Sequence, residues 1–361
     1  MTLRVLFVTD HLHVPQGGGG GERNTHELCL ALRSQGVRPA VSCCFRVDGS
    51  LLSWRNRVLR KLLPGKEFAR DGGLGYPVFR GWDQSRVGEV VRRFRPDVAV
   101  VQSTHPEPLI RALAPSGVPL LAYFHEVEEV KHLRFLRGSS IPVLANSAFT
   151  AGRLADVCGL QCEVLLPLID ARHYRTQVQP ERVLFVNTTP RKGVEIAFAV
   201  AQLRPDIPFD FMLSWTHKPP QLAALLARAA AVGNIDLHPP TKDMRPVYAR
   251  AKVLLAPSQW EEAWGRVATE AHVNGIPVLG GNRGGLPQAI GPGGIILPAD
   301  APAEQWAAAL GRLWDNDESY KVASDAARAY AGRTEIQPGA ITAKLRGLLE
   351  HAVLLRGSAV A

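Results

Sequence analysis

Short runs of β-forming residues alternate with amphipathic segments along almost the whole chain, and this alternation limits the fold more than any other feature. LRVLFVT, RPAVSCCF, DVAVVQ, PLLAYFH and PVLAN precede segments of helical period, such as 22–35, 84–94 and 148–157. Nearly continuous apolar runs of this length are typical of parallel strands that are covered on both faces. The first half of the sequence therefore predicts a doubly wound α/β domain.

The alternation begins again after a polar, proline-flanked stretch at 167–181. RVLFVN, FDFMLSW, NIDLH, AKVLLAPS, IPVLG and GGIILP predict a second sheet, and helical patterns at 303–314, 318–331 and 339–355 follow. We expect domains at 1–168 and 169–338, with a last helix at about 339–361 that packs on the first domain. Open α/β sheets bind ligands at the carboxyl ends of their strands, so two such domains facing each other predict a central cleft.

Composition narrows the class of protein. With 46% apolar and 21% charged residues among 361, the chain reads as a water-soluble globular protein. The first apolar run stops at Asp10, which is too short for a signal peptide or a membrane span, so we expect a cytoplasmic protein. Five cysteines without paired CxxC spacing favour buried thiols over a disulfide framework or a zinc site.

The positive charge is concentrated in one segment. Residues 51–95 contain eleven Lys and Arg against four Asp and Glu, a balance of +7. Within the basic 54–70 segment, WRNRVLRKLL predicts an amphipathic helix, with its apolar residues on one side and Arg55, Arg57, Arg60 and Lys61 on the other. Such a helix suits an anionic membrane surface or an acidic substrate; an ordinary surface helix that packs its apolar side on its own domain is the alternative. Nucleic acid is not expected, because no recognition motif accompanies the charge.

A glycine-rich loop follows the first predicted strand. HLHVPQGGGGGERNTHE has five consecutive glycines before a predicted helix that Glu22 opens, and at Gly19, Gly20 and Gly21 the backbone can approach a ligand closely. Seven residues separate Thr9 from Gly17, which does not fit the dinucleotide fingerprint. We favour a loop that faces a ligand, and a flexible surface linker is the alternative.

FVNTTPRKGVEIA carries two cations between a strand and a helix of the second half. Arg191 and Lys192 would point toward the ligand edge together with free backbone N–H groups, which predicts a phosphate site. A solvated basic pair in a surface loop would leave the same letters.

Two glutamates stand eight residues apart in WEEAWGRVATEAHVNGIPV. Glu262 lies in the loop after the strand AKVLLAPS, while Gly265 and Arg266 begin the helix that contains Glu270. A carboxylate can accept hydrogen bonds from vicinal hydroxyls, so Glu270 could hold a ribose and Glu262 a sugar. The alternative is that both acids only favour a helix N-terminus electrostatically.

The strand IPVLG is followed by NRGGLPQAIG, another strand-to-helix loop with glycines. Gly284 and Gly285 predict a second helix start that favours anions.

EEAWGRVATEAHVNGIPVLGGNRGGLP resembles the E-x7-E region and G-x-P-V strand of retaining family 4 (group 1) glycosyltransferases of the GT-B fold. GGGGGERNTHELCLALRSQG, FHE, NSAFTAGRL and RKG are similar to further segments of that family, in the same order along most of the chain. The resemblance implies two Rossmann-like domains facing a cleft, the first for the acceptor and the second for the nucleotide sugar.

The resemblance also implies a role for each matching residue. Donor binding is implied for Arg191, Lys192, Glu262, Gly265, Arg266, Glu270, Gly284 and Gly285; catalytic roles for His125, Lys192 and Glu262; and acceptor or phosphate approach for Gly19, Gly20, Gly21 and Glu22. This chain departs from the family in one loop, because Asn187 and Thr188 stand where a Gly-Arg pair is usual. Arg191 is the candidate replacement for that arginine.

The activity that the resemblance implies is transfer of a sugar from a nucleoside diphosphate sugar, which serves as co-substrate, to a glycan, a lipid-linked saccharide or a small molecule. Anomeric configuration would be retained, and neither a metal nor a resident cofactor is expected. Asp315, Asn316 and Asp317 spell a metal-binding Asp-x-Asp, but they lie between helical patterns and read as capping residues. A nucleotide-sugar epimerase or hydrolase, and a non-catalytic nucleotide-sugar-binding protein, remain alternatives.

Overall fold

The computed structural model describes residues 2–62, 67–128, 130–214 and 216–359. The chain forms two compact units. The first unit contains the chain up to Leu168 together with the segment from Pro338 onward, and the second is Ile169–Gln337.

The first unit is built on an eight-stranded sheet in the order β3-β4-β2-β1-β5-β6-β7-β8. Its strands are β1 (Arg4–Leu12), β2 (Arg38–Cys44), β3 (Phe68–Asp71), β4 (Val78–Gly81), β5 (Val98–Val101), β6 (Leu120–Phe124), β7 (Val143–Ala145) and β8 (Cys162–Val164). All neighbouring strands are parallel except β3 and β4. The chain continues from β1 to β2 on one side, whereas β5 lies on the other, so the order of strands reverses between β1 and β5.

Helices cover both faces of this sheet. They are α1 (Gly20–Ser34), α2 (Leu51–Leu62), α3 (Gly88–Phe94), α4 (Glu107–Leu113), α5 (Ala148–Cys158) and α13 (Pro338–Ala359). One buried cluster includes Leu6 and Val90, and a second, on the other face, joins Val5 and Leu28 to Leu345 of α13. The last helix is therefore part of the core of the first unit.

The second unit has a six-stranded parallel sheet in the order β11-β10-β9-β12-β13-β14. Its strands are β9 (Arg182–Val186), β10 (Phe209–Met212), β11 (Ile235–His238), β12 (Ala251–Ala256), β13 (Val278–Gly281) and β14 (Gly294–Leu297). Its helices are α6 (Val194–Leu203), α7 (Pro219–Val232), α8 (Arg245–Tyr248), α9 (Arg266–His272), α10 (Leu286–Ile290), α11 (Ala303–Trp314) and α12 (Asp317–Ala331). Strand order reverses between β9 and β12.

The predicted fold class, α/β with two Rossmann-like domains, is confirmed. Three strands were not predicted, namely β3, β4 and β8, which are only three or four residues long. In β4 the fully buried Arg80 interrupts the apolar pattern, and its charge is balanced by Asp71 of β3, whose carboxylate lies 2.7 Å from the guanidinium. A buried charge of this kind is tolerated because it is paired, and sequence periodicity does not reveal the pairing.

Candidate functional site

Two loops of the second unit meet where its strand order reverses, and they bring together two of the predicted site residues. Lys192 ends a 3-10 turn (Pro190–Lys192) after β9, and Glu262 lies in the loop after β12. The Nζ of Lys192 is 2.5 Å from Oε1 of Glu262, and the Oγ of Ser258 donates to the same oxygen at 2.9 Å. A reversal of strand order is where open α/β sheets bind ligands, so this pair marks the candidate site of the second unit.

The position of Lys192 depends on a close approach of backbone at Gly193. This glycine has φ of 81°, and a Cβ built on it would lie 2.0 Å from the carbonyl oxygen of Pro257. Arg191 packs in the same place, with its guanidinium carbon 4.1 Å from the centroid of the Trp260 ring. The loops after β9 and β12 are thus fitted to each other, which holds both cations at the ligand edge of the sheet.

Gly284 and Gly285 support Glu262 by their lack of side chains. A Cβ on Gly284 would lie 2.2 Å from the carbonyl oxygen of Glu262, and one on Gly285 would lie 2.5 Å from that of Ala263. The N–H of Gly285 donates to the Glu262 carbonyl at 2.6 Å. That amide is therefore already used and α10 has only five residues, while an anion at this helix start stays a prediction. Whether the two glycines also contact a donor stays a prediction.

Glu270 lies inside the second unit rather than on an open surface. Glu270 is 5% exposed, and its Oε2 accepts a hydrogen bond of 2.9 Å from the Tyr248 hydroxyl. The Nε of Arg266 is 3.5 Å from Oε1, and the same guanidinium donates to the hydroxyl of Tyr174 at 2.9 Å. Glu270 belongs to α9, and Gly265, the residue before that helix, has φ of 101°. The carboxylate is therefore held in a fixed position, and its role toward a ribose stays a prediction.

In the loop that departs from the family pattern, the backbone conformation accounts for Asn187. Asn187 adopts φ of 73°, the left-handed conformation that asparagine tolerates better than most residues other than glycine. Thr188 is 1% exposed, and its hydroxyl lies 2.8 Å from Nε2 of His217. The contact between Thr188 and His217 was not predicted, because the two residues come from loops after different strands.

In the first unit the structure brings the glycine loop next to His125. Helix α1 begins at Gly20, two residues before the predicted start, and a Cβ on Gly21 would lie 4.0 Å from Cβ of His125. The imidazole Nε2 is 3.0 Å from the side-chain amide of Gln102, whose oxygen accepts from Thr25 of α1 at 2.8 Å. Two predicted residues are thus neighbours, joined through Gln102 and Thr25, which were not predicted.

Gly19 precedes α1, and the first turn carries an acidic side chain. A Cβ on Gly19 would lie 2.5 Å from a carboxylate oxygen of Glu22, so that side chain folds over the glycine. An acid at this place is favoured by the helix dipole. The part of these residues in binding an acceptor or a phosphate stays a prediction.

The chain just before the glycines is anchored by a buried polar group. The Nε2 of His13 lies 2.8 Å from the Tyr76 hydroxyl, which lies 2.7 Å from Nδ1 of His26. Burial, together with the nearby charge of Arg80, lowers the pKa of His13 to about 3. The imidazole is therefore neutral at pH 7 and holds the start of the loop without charge.

Helix α2 exposes large apolar side chains to solvent and buries polar ones, which is the reverse of an ordinary surface helix. Leu51, Trp54 and Leu62 are 87%, 65% and 69% exposed, while Ser53 and Asn56 are buried. The exposed cations Arg55, Arg57 and Lys61 lie on this same exposed side, so the prediction that apolar and basic residues occupy opposite sides of the helix is wrong. For Trp54 and Leu62 the structure also contradicts the alternative in which the apolar side packs on its own domain, while Val58 is half-buried. Leu63 and the rest of 63–66 lie outside the described residues, as do the side chains of Leu59 and Arg60.

The surroundings of Asp315 and Asp317 are those of surface residues near the start of a helix. Asp315 lies 2.7 Å from the guanidinium of Arg204, and Asp317 is fully exposed. Asn316, rather than either acid, caps α12 by accepting from the N–H of Ser319. Within 2–62, 67–128, 130–214 and 216–359, no three His, Cys, Asp or Glu side chains are placed to hold a metal ion. No helix in these ranges is long and apolar enough to cross a membrane.

Comparisons with known proteins assign the family. Residues 18–173 match the model for Glycosyltransferase Family 4, and residues 180–316 match that for Glycosyl transferases group 1. The D-inositol 3-phosphate glycosyltransferase of Segniliparus rotundus is 32% identical over 290 residues, which cover 68% of this chain and 63% of that protein. The protein of that name from Streptomyces griseus is 38% identical over 118 residues, 32% of this chain and 25% of the relative. The chain thus aligns with less than two thirds of each relative's length.

A solved structure shows the same fold. The Anabaena protein HepE in complex with UDP-glucose has a TM-score of 0.74 at 17% identity, covering 97% of this chain and all of HepE.

Proposed function

Because the chain belongs to the family 4, group 1 glycosyltransferases, we propose that it transfers a sugar from a nucleoside diphosphate to an acceptor hydroxyl with retention of anomeric configuration. The second unit would bind the donor, and the first would bind a glycan, a lipid-linked saccharide or a small molecule. The Lys192 and Glu262 pair at the reversal of strand order is the observation that carries the proposal.

The donor diphosphate would lie at Lys192 and Arg191. As the bond from the anomeric carbon to the phosphate oxygen breaks, negative charge grows on the diphosphate, and a fixed cation there lowers the barrier. The ammonium of Lys192, now held by Glu262, would then turn to the phosphate. Glu262 would be released to accept hydrogen bonds from hydroxyls of the donor sugar.

Glu270 would bind the two hydroxyls of the donor ribose. Tyr248 and Arg266 fix both of its carboxylate oxygens, which supports a preorganised hydrogen-bond acceptor rather than a mobile surface acid. Gly265 and Gly284 would keep this region free of side chains, and His125 of the first unit would contact the donor sugar.

The proposed step is a front-face displacement. The acceptor oxygen forms a bond to the anomeric carbon on the side from which the diphosphate leaves, and the acceptor proton passes to the departing phosphate oxygen. Atoms and charges balance without a protein nucleophile, a metal ion or a resident cofactor. The protein's contribution is positioning and the stabilisation of charge by Lys192 and Arg191.

A transfer assay tests this function. UDP-glucose is the first donor, because HepE was solved with it, followed by GDP, ADP and TDP sugars. The relatives are named for D-inositol 3-phosphate, so polyols with and without phosphate belong in the acceptor panel. We expect a product with the anomeric configuration of the donor by NMR. Epimerised or free sugar without acceptor would favour the epimerase or hydrolase, and tight binding without turnover would favour the non-catalytic protein.

Contact with an anionic membrane surface is part of the proposal. The exposed side of α2 combines Leu51, Trp54 and Leu62 with the exposed cations Arg57 and Lys61. Apolar and aromatic side chains flanked by cations are the composition of helices that lie in the headgroup region. The protein would then be cytoplasmic and peripheral to the inner face of the membrane, with no role in binding nucleic acid.

A further inference from the structure

Polar side chains bridge the first unit's sheet where its strand order reverses. His11 lies near the end of β1, and Thr104 follows β5, the strand on the other side of the reversal. The Nε2 of His11 is 3.2 Å from Oγ1 of Thr104. This is the position in an open α/β sheet where a ligand is expected, and neither residue was among the candidate site residues named from the sequence.

The direction of the hydrogen bonds follows from the single hydroxyl hydrogen of Thr104. That hydrogen is donated to Oε2 of Glu126, which follows β6, at 2.6 Å. Because the hydroxyl has no second hydrogen, Nε2 of His11 must donate to Thr104. The Thr104 carbonyl lies 2.5 Å from Nε2 of His132. Thr104 is therefore held through both its side chain and its backbone.

Two carboxylates, those of Glu126 and Asp10, lie beside the hydrogen-bonded pair of His11 and Thr104. Glu126 is exposed and uses one oxygen for Thr104, which leaves the other available to accept. Oδ1 of Asp10 is inaccessible to solvent, lies 3.5 Å from Nε2 of His11, and has no hydrogen-bond partner among the residues that the structure describes. The Asp10 side chain as a whole is 34% exposed, so its negative charge lies beside Glu126 within reach of a ligand.

We propose that His11, Thr104 and Glu126 bind the hydroxyls of a neutral polyol acceptor. The inference rests on the proposed function and narrows its acceptor to one class. Hydroxyls donate to carboxylates such as Glu126 and Asp10, whereas a phosphate in the same place would face two like charges. These side chains bind and orient the acceptor, and they exchange no proton with the reacting atoms.

The experiment measures binding directly, so that it does not depend on turnover. Saturation-transfer NMR on the full chain with UDP present compares myo-inositol and methyl glucoside with inositol phosphate and glucose 6-phosphate. Thr104→Val removes the hydroxyl with little change in shape, Glu126→Gln removes the charge, and Ser34→Ala is the control, because its exposed hydroxyl bonds only within α1. A UDP-induced thermal shift is recorded for every variant.

We expect the neutral polyols to bind, with dissociation constants raised about tenfold by Thr104→Val and by Glu126→Gln and unchanged by Ser34→Ala. The UDP shift should be the same in all four proteins. Preference for the phosphate esters, no binding of either neutral polyol, or unaltered binding by Thr104→Val would overturn the inference. Failure of the proposed function would appear separately, as the absence of a thermal shift with UDP, GDP, ADP or TDP.

Discussion

Replacing Lys192 by Met removes the cation that the proposed mechanism places on the leaving diphosphate. The structure indicates a small effect on stability, because the side chains of Lys192 and Glu262 are 33% and 15% exposed and Glu262 keeps its hydrogen bond from Ser258. A partly exposed ion pair contributes about 1 kcal/mol or less. The effect on catalysis should be much larger, since one preorganised group at developing charge is worth about 2.7–4 kcal/mol.

We therefore expect Lys192→Met to lower kcat about 100- to 1,000-fold, with a melting temperature only a few degrees lower. The assay is steady-state transfer from UDP-glucose, or from the nucleotide sugar that the donor panel identifies. Lys192→Arg keeps the charge and should retain more activity than Met. The matched control is Lys321→Met, an exposed lysine of α12. A kcat for Lys192→Met within about threefold of the unmodified protein would refute the role of this cation.

Three further results are expected. Gly193→Ala should destabilise the protein more than Gly233→Ala in thermal unfolding, because both have positive φ but only Gly193 has a carbonyl oxygen 2.0 Å from the new Cβ, and equal losses would contradict this. Arg57→Glu combined with Lys61→Glu should weaken sedimentation with phosphatidylglycerol vesicles about 30-fold or more, at about 1 kcal/mol per cation, and no binding by the unmodified protein would dispose of the membrane contact. Burial lowers the pKa of His272 to about 4, so between about pH 6.5 and pH 4 the unfolded chain takes up a proton that the native state does not. The same holds for His13, whose pKa is lowered to about 3, so denaturant unfolding should show about 4 kcal/mol less stability at pH 5 than at pH 7 from the two histidines together. An unchanged value would count against both pKa shifts.

The strands that position the candidate site could be predicted because they are fully buried. Phe7 in β1 and Phe185 in β9 lie in apolar runs covered on both faces, and such runs have a signal in the sequence. The loops that follow buried strands could also be located, which is why Lys192 and Glu262 could be named as candidates. The short strands β3 and β8 have no comparable run of apolar residues.

The partners of the site residues were much harder to predict. Tyr248 and Glu270 are 22 positions apart, and His11 and Thr104 are 93 apart. Their proximity follows from the order of strands in each sheet, which local periodicity does not encode. A usable signal did exist, since polar residues directly after strands on either side of a reversal are expected to meet.

The exposure of Leu51, Trp54 and Leu62 on α2 could not be predicted from the sequence either. Helical periodicity gives the angular spacing of the residues, but which of them face the domain and which face the solvent depends on what the sheet offers. Burial of Ser53 and Asn56 answers the question.

The most direct test of the account is a thermal-shift panel of UDP, GDP, ADP and TDP, with and without sugars attached. It is run on the unmodified protein, on Glu270→Ala, and on Glu304→Ala as an exposed control in the same unit. A ligand at ~100 times its dissociation constant stabilises by about 2.7 kcal/mol, which gives a visible shift. We predict stabilisation by one nucleoside diphosphate that Glu270→Ala loses and Glu304→Ala keeps. No shift with any nucleotide, or an equal shift in Glu270→Ala, would contradict the donor site.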